Sequence, residues 1–240
     1  GTQEMATVFI TGTNKGVGLE LVREYLSAGH DVIGTCRNAA KADALKALGE
    51  THAGKLSIYE MELIDEASIA TLATQLKGQP IDIFINNAGT AVGYSSASDK
   101  NVFGGLDSDL WIEVFRANAI GPVLLAQALH SNVMLGVEKK MVFITSKPAS
   151  IADNTGGAMY MNRTCRTALN QAIKSMSIDL FDDGITLASI SPGWVQTDSG
   201  GEGALITAQT SAKGICQVVA SLTLEQTALF ADYKGALIPW

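Results

Sequence analysis

Cysteine is scarce in this chain. Only Cys36, Cys165 and Cys216 occur, with no C-x-x-C spacing. That excludes a disulfide framework and a cysteine-based zinc site, and free thiols are the expectation. Histidine is equally rare: His30, His52 and His130 are scattered and none sits at metal-ligand spacing, so no metal centre is expected. Positive charge is in the minority, with 17 Lys and Arg against 24 Asp and Glu and a net charge of -7. A nucleic-acid partner needs a basic stripe, so none is expected. No run of eighteen apolar residues exists, which leaves no candidate membrane span. With five prolines there is no Pro-rich linker, and the 240 residues read as one domain. Residues 1–5 carry no charged-then-apolar leader pattern and read as an added or flexible lead to a domain over 6–240. A cytoplasmic setting is the expectation. Apolar residues make up 47% of the chain, enough for a large core and too many for a disordered segment. Glycine is in excess, with 24 residues against a usual share of about 7%.

The apolar runs alternate with helical patterns. Strands are expected at Ala6–Thr11, Asp31–Thr35, Lys55–Tyr59, Ile81–Ile85, Lys140–Thr145, Ile185–Ile190 and Ala236–Ile238. Between them the spacing predicts helices: one with Val17, Leu21, Val22 and Leu26 on one face, then Ala39–Leu48 and Asp65–Leu76 with Asp65 as cap. Leu106–Ala117, Pro122–Asn132, Thr164–Phe181 and Thr207–Leu222 follow. Continuously apolar strands separated by helices imply a parallel sheet covered on both faces. The expected fold is a single α/β Rossmann-type doubly wound sheet of about seven strands. Two polar, Gly/Ser-rich stretches, about 89–105 and 197–206, follow strand ends and read as substrate loops.

Between the first strand and the first helix stands Thr11-Gly12-Thr13-Asn14-Lys15-Gly16-Val17-Gly18. Glycines there allow a tight turn and close approach to a pyrophosphate, and the following helix N-terminus faces that anion. The spacing T-G-x-x-x-G-x-G resembles the short-chain dehydrogenase/reductase family. Asn86-Asn87-Ala88-Gly89, Asn118-Ala119-Ile120-Gly121 and Pro192-Gly193-Trp194-Val195-Gln196-Thr197-Asp198 resemble three further motifs of that family, in the same order. The Asp153–Gly157 loop and the ending Ile238-Pro239-Trp240 are similar to its C-factor branch.

The resemblance implies a dinucleotide held by Gly12–Gly18, Glu62, Leu63, Asn87, Ala88, Gly89, Arg166, Pro192, Gly193, Val195 and Thr197. Charge argues for the phosphorylated form. A ribose 2'-hydroxyl calls for an acid after the second strand and a 2'-phosphate for a cation. Cys36-Arg37 follows that strand, and Lys15 lies in the glycine loop, so NADP(H) is favoured over NAD(H). A homodimer or homotetramer acting on a small molecule is also implied.

The family's hydride chemistry uses a Ser, an upstream Asn, and a Tyr with a Lys four residues later. Ser146 and Asn118 match the first two. Aligning Arg166-Thr167-Ala168-Leu169-Asn170 with the family's K-A-A-L-N puts Arg166 at the Lys position and Asn162 at the Tyr position. An amide has no proton to give near neutral pH, and Arg for Lys is not a conservative change. Tyr160 is the nearest phenol. It could replace the missing acid only if the helix began after it and the chain bent inward. Lys147 is another candidate. Three readings follow: a reductase with a displaced acid, a non-redox enzyme on the same fold, or a cofactor-binding pseudoenzyme.

Overall fold

The computed structural model describes residues 4–90, 99–197, 200 and 203–240. Seven strands form one parallel sheet in the order β3-β2-β1-β4-β5-β6-β9. They are β1 (Thr7–Ile10), β2 (Asp31–Cys36), β3 (Leu56–Glu60), β4 (Ile83–Asn86), β5 (Lys140–Ile144), β6 (Thr186–Ser191) and β9 (Leu229–Asp232). A separate short parallel pair joins β7 (Val195–Gln196) to β8 (Ile206–Thr207). The chain runs outward from β1 to β3, then crosses back to β4 on the other side of β1. That reversal opens a crevice beyond the carboxyl ends of β1 and β4.

Alternation along the strands feeds two cores. Val8 and Ile10 of β1 pack with α1 (Gly16–Ser27), α2 (Asp43–Thr51) and α8 (Ala208–Ser221) through Leu21, Val22, Leu45 and Ile215. Phe9, between them, faces the opposite layer of α3 (Glu66–Gln75), α5 (Gly121–Ala128), α6 (His130–Leu135) and α7 (Tyr160–Asp179). There Phe9, Phe84 and Phe143 form a row of rings 5.5 and 5.7 Å apart across β1, β4 and β5. Both faces of the sheet are therefore covered over its central strands, which is why these read as largely apolar runs, while β3 at the edge exposes Ser57 and Glu60. Among the described residues no helix is long and apolar enough to cross a membrane.

Four boundaries differ from the sequence expectation. The last strand is Leu229–Asp232, not Ala236–Ile238. The Asp232 carboxylate accepts from Lys234 N and Ala236 N, so the chain turns back. Residues 236–238 then contribute only an antiparallel bridge, Leu237 to Ala231. The predicted helix at Ala39–Leu48 splits into a short turn at Ala39–Lys41 and then α2. The helices expected at Leu106–Ala117 and Pro122–Asn132 meet in one run: α4 (Ser108–Phe115), a π turn over Arg116–Ile120, and α5. The π turn closes where Gly121 N–H reaches back five residues to Arg116 O. Finally, α7 starts at Tyr160, four residues earlier than expected. Thr164 is an interior residue whose hydroxyl donates back to Tyr160 O.

Candidate nucleotide groove and reacting centre

The glycine loop is tied down on both sides. Thr11 Oγ1 accepts from Asn87 N and Ala88 N at 3.0 and 2.9 Å, joining the exits of β1 and β4. Asn87 Nδ2 donates to Gly12 O at 3.1 Å. On the other side Thr13 gives both its N–H and its hydroxyl to Thr35 O on β2. Gly18, in the first turn of α1, lies directly against this loop. A Cβ there would stand 2.0 Å from Gly12 O and 2.6 Å from Asn87 Nδ2. The backbone amides at the start of α1 therefore come as close to the loop as glycine permits.

The loop opens onto a cavity of about 860 Å³. Its walls include Gly12, Asn14, Lys15, Gly16 and Val17 from the loop, Arg37 after β2, and Glu62 and Leu63 after β3. Asn87, Ala88, Gly89 and Thr197 close the remaining sides. Most residues predicted to hold a dinucleotide are thus brought together. Thr13 and Gly18 shape the loop from behind rather than lining it. Pro192, Gly193, Val195 and Arg166 also lie outside the cavity wall; Pro192 O accepts from Ser211 Oγ at 2.7 Å, which fixes that turn to α8. Cys36, Glu20, Glu113 and Gln196 line the cavity without having been singled out from the sequence. Burial, reinforced by the Glu60 carboxylate, pushes the Cys36 thiol up.

The donor set fits a nicotinamide dinucleotide. Lys15 and Arg37 supply cations on the rim, and the helix N-terminus supplies amides for the pyrophosphate.

The candidate reacting centre lies where β4, β5, the π turn and α7 converge. Asn118 sits in the π turn, fully buried. Its Oδ1 accepts from Thr90 N at 2.8 Å and its Nδ2 donates to Thr90 O at 3.0 Å, a two-point clamp on the chain leaving β4. Gly89 shows how tight the junction is: a Cβ there would stand 2.6 Å from Asn118 Oδ1 and 3.2 Å from Arg166 Nη2. Arg166, 7% exposed, donates from Nη1 to Ile144 O at 3.3 Å, two residues before Ser146. Ser146 is half-buried at the end of β5. Thr145 and Ser189 share a hydrogen bond of 2.6 Å, and Ser189 Oγ donates to Asn170 Oδ1 at 2.7 Å. That buried chain locks α7 against β5 and β6.

Asn162 is one turn before Arg166, on the same face of α7, and has no exposed surface. Its Oδ1 accepts from Asn101 Nδ2 at 3.0 Å. Asn101, 1% exposed, was not singled out from the sequence; it belongs to a short turn at Asp99–Asn101 and its own Oδ1 accepts from Met161 N at 2.8 Å. Tyr160 does not meet the condition set for it. It is the first residue of α7, about 200° around an ideal helix from position 162. Its ring lies 6.4 Å from that of Phe103. Lys147 is exposed and its ammonium is 3.9 Å from Asp153 Oδ2. Residues 91–98, 198, 199, 201 and 202 of the two expected substrate loops lie outside the described residues. At the edge of the second loop, Thr197 Oγ1 accepts from Gly200 N, and Trp194 Nε1 donates to Gly200 O at 2.9 Å.

Comparison with known proteins agrees with this architecture. A family model described as short chain dehydrogenase matches residues 6–204. The chain belongs to that family. This short-chain dehydrogenase is 35% identical over 168 residues to C-signal of Myxococcus xanthus, an alignment spanning 70% of this chain and 98% of that protein. It superposes on the carbonyl reductase Sniffer of D. melanogaster with a TM-score of 0.91 and 31% identity, over 99% of this chain and 100% of the other. The NADPH-bound carbonyl reductase from chicken fatty liver gives a TM-score of 0.90 at 28% identity, again over 99% and 100%. Membership adds weight to the groove as a dinucleotide site.

Proposed function

We propose that this short-chain dehydrogenase binds NADP(H) and reduces a small carbonyl compound, taking its proton through Ser146 from solvent rather than from a tyrosine. The observation that carries this is the groove, with its glycine cradle and its two cations; Ser146 follows the end of β5. Lys15 and Arg37 are the groups to hold the 2'-phosphate, while Glu62 and Leu63 form the wall toward the adenine side. NADPH, when bound, supplies the hydride. The chain's own residues do the rest. Ser146 donates its hydroxyl to the carbonyl oxygen and passes its proton to the alkoxide as charge develops. Water then returns a proton to Ser146, so one carbonyl, one NADPH and one proton give one alcohol and one NADP⁺. Asn162 has no titratable proton, and Arg166 keeps its charge and acts as a fixed cation. A serine hydroxyl is poorly matched in pKa to this task, so turnover is expected to be slow.

The decisive measurement is NADPH oxidation with a panel of activated aldehydes and ketones. Turnover that Ser146→Ala abolishes supports the reading. Tight NADPH binding with no oxidation of any substrate favours a second reading, a nucleotide-binding module without turnover. One observation speaks for that alternative: the proton-donor position is occupied by a fully buried amide.

Cofactor preference has its own test. Arg37→Asp is expected to weaken NADPH by about 10- to 100-fold, the worth of one or two charge-assisted contacts. NADH affinity should change little. Titration by fluorescence measures both, and equal losses would show that Arg37 does not read the phosphate.

A further inference from the structure

A second cavity, of about 330 Å³, lies at the opposite end of the sheet from the nucleotide groove. The groove residues Gly12, Arg37, Glu62 and Asn87 each follow a strand. The second cavity is walled by residues that precede one: Met5 before β1, His30 before β2, Asp82 before β4 and Glu138 before β5. In a parallel sheet those are opposite edges. The volume is within the range of small-molecule sites.

Two features of the wall call for a ligand. The first is His30, 5% exposed. Its Nδ1 accepts from Ala6 N at 3.0 Å, which fixes the neutral tautomer with the proton on Nε2. No described residue accepts from that Nε2–H. The buried side-chain polar atoms that are both sealed and unpartnered among the described residues are Tyr25 Oη and Asn170 Nδ2. His30 Nε2 is not one of them, so it keeps open surface, and the cavity is the space His30 lines. The second feature is charge. Glu4, Glu24, Asp82 and Glu138 stand in the wall, and among the described residues no Lys or Arg does. Asp82 is engaged by Thr7 N and Val137 N, and Glu138 by Lys140 at 3.3 Å. Neither Glu4 nor the half-buried Glu24 has a cation partner among the described residues. Burial pushes the Cys216 thiol up to about 12 and the Tyr25 phenol well above its ordinary value, so neither adds a charge.

We infer that this cavity binds a small organic ammonium ion that also carries a neutral oxygen. Glu24, with Glu4, holds the ammonium, and His30 Nε2–H donates to the oxygen. Met5, Ile83, Val137 and Ala220 enclose the carbon body. The carboxylates turn away anions. A metal ion is poorly served, because His30 presents a proton rather than a lone pair, and no group of three metal-ligating side chains occurs among the described residues. The inference is independent of the carbonyl-reductase reading.

Tyramine, an ammonium and a phenol oxygen on one small body, is the probe. Titration calorimetry of the full chain is expected to show one site for it, with the same dissociation constant whether or not NADPH is present. 2-Phenylethylamine lacks the oxygen and should bind about 2- to 10-fold more weakly, the worth of one neutral hydrogen bond. 4-Hydroxyphenylacetate, which replaces the ammonium by a carboxylate, should not bind. Glu24→Gln should weaken tyramine about tenfold. Ala220→Trp, at an exposed position of the cavity wall, should fill the space and abolish binding. Should that variant lower Tm, Glu24→Gln decides. No tyramine binding at millimolar concentration would overturn the inference. So would binding that NADPH displaces, which would put the amine in the groove, or an affinity that Glu24→Gln leaves unchanged.

Discussion

Asn162→Tyr combined with Arg166→Lys is expected to raise turnover of an activated ketone by about 10²- to 10⁴-fold, the usual worth of a matched general acid. The expectation follows from geometry already in place. Positions 162 and 166 share one face of α7, and Arg166 already reaches Ile144 O beside the end of β5. A lysine ammonium there would lower the phenol from its ordinary value near 10, because a nearby cation favours the ionised form. The pair would then have a proton to give and a means of recovering it. Room is the one structural obstacle. Asn162 is buried against Asn101, and a phenol is longer than an amide by a ring. The same pair with Asn101→Ala is therefore the second arm, and whichever variant accommodates the ring should show the gain. A new acid-limited arm in the pH profile of kcat should accompany it. If both variants bind NADPH as the parent does and neither turns over faster, position 162 is not where the proton is delivered.

The cofactor half of the molecule was legible in the sequence because its signals are local. A glycine loop between an apolar strand and a helix has one sensible geometry, and Thr11–Gly18 adopts it. Asn118 and Ser146 were singled out by motif. Three features were not legible. The early start of α7 depends on Asn101, about sixty residues away, accepting from Met161 N. No local cap precedes Tyr160, since Met159 takes a left-handed conformation with φ 53° and makes no side-chain cap bond. The π turn around Asn118 was invisible because an extra residue in a helix leaves apolar spacing almost unchanged. The edge strand β9 was missed because Leu229-Phe230-Ala231-Asp232 is short, with only Phe230 and Ala231 fully buried. Long-range contacts made each of these decisions.

The two halves of the site also differ in what they demand of sequence. The groove is built largely from backbone, so it survives whatever stands at 162 and 166. The reacting centre is built from side-chain ends: Asn118 clamped on Thr90, Arg166 on Ile144, Asn162 on Asn101. A single exchange there alters the chemistry without touching the fold. That separation lets the groove persist while the side chains at 162 and 166 vary.

Gly18→Ala tests the groove directly, and its effect on binding should be the largest of any single methyl. The new Cβ would lie 2.0 Å from Gly12 O, where ordinary contact is roughly 3.5 Å. The helix cannot yield, because Leu21, Val22 and Leu26 of α1 are buried against the sheet and α8. The loop must move instead, by roughly an ångström or more. The same methyl intrudes on the Asn87 Nδ2 to Gly12 O bond, so the link to β4 loosens as the loop retreats. Displacement on this scale is worth about 10²-fold in function, and NADPH affinity should fall by at least that much. Overpacking costs about 1–3 kcal/mol, which in a chain of this size lowers Tm by about 2–12 °C. Gly49→Ala is the control. Gly49 lies inside α2, and a Cβ there meets only the Leu56 side chain, at an ordinary 3.5 Å from Cδ2 and 4.0 Å from Cβ. Tm should hold or rise, since alanine is the better helix former, and NADPH binding should be unaffected. A Gly18→Ala protein that binds NADPH with parental affinity would place the nucleotide elsewhere than on this loop.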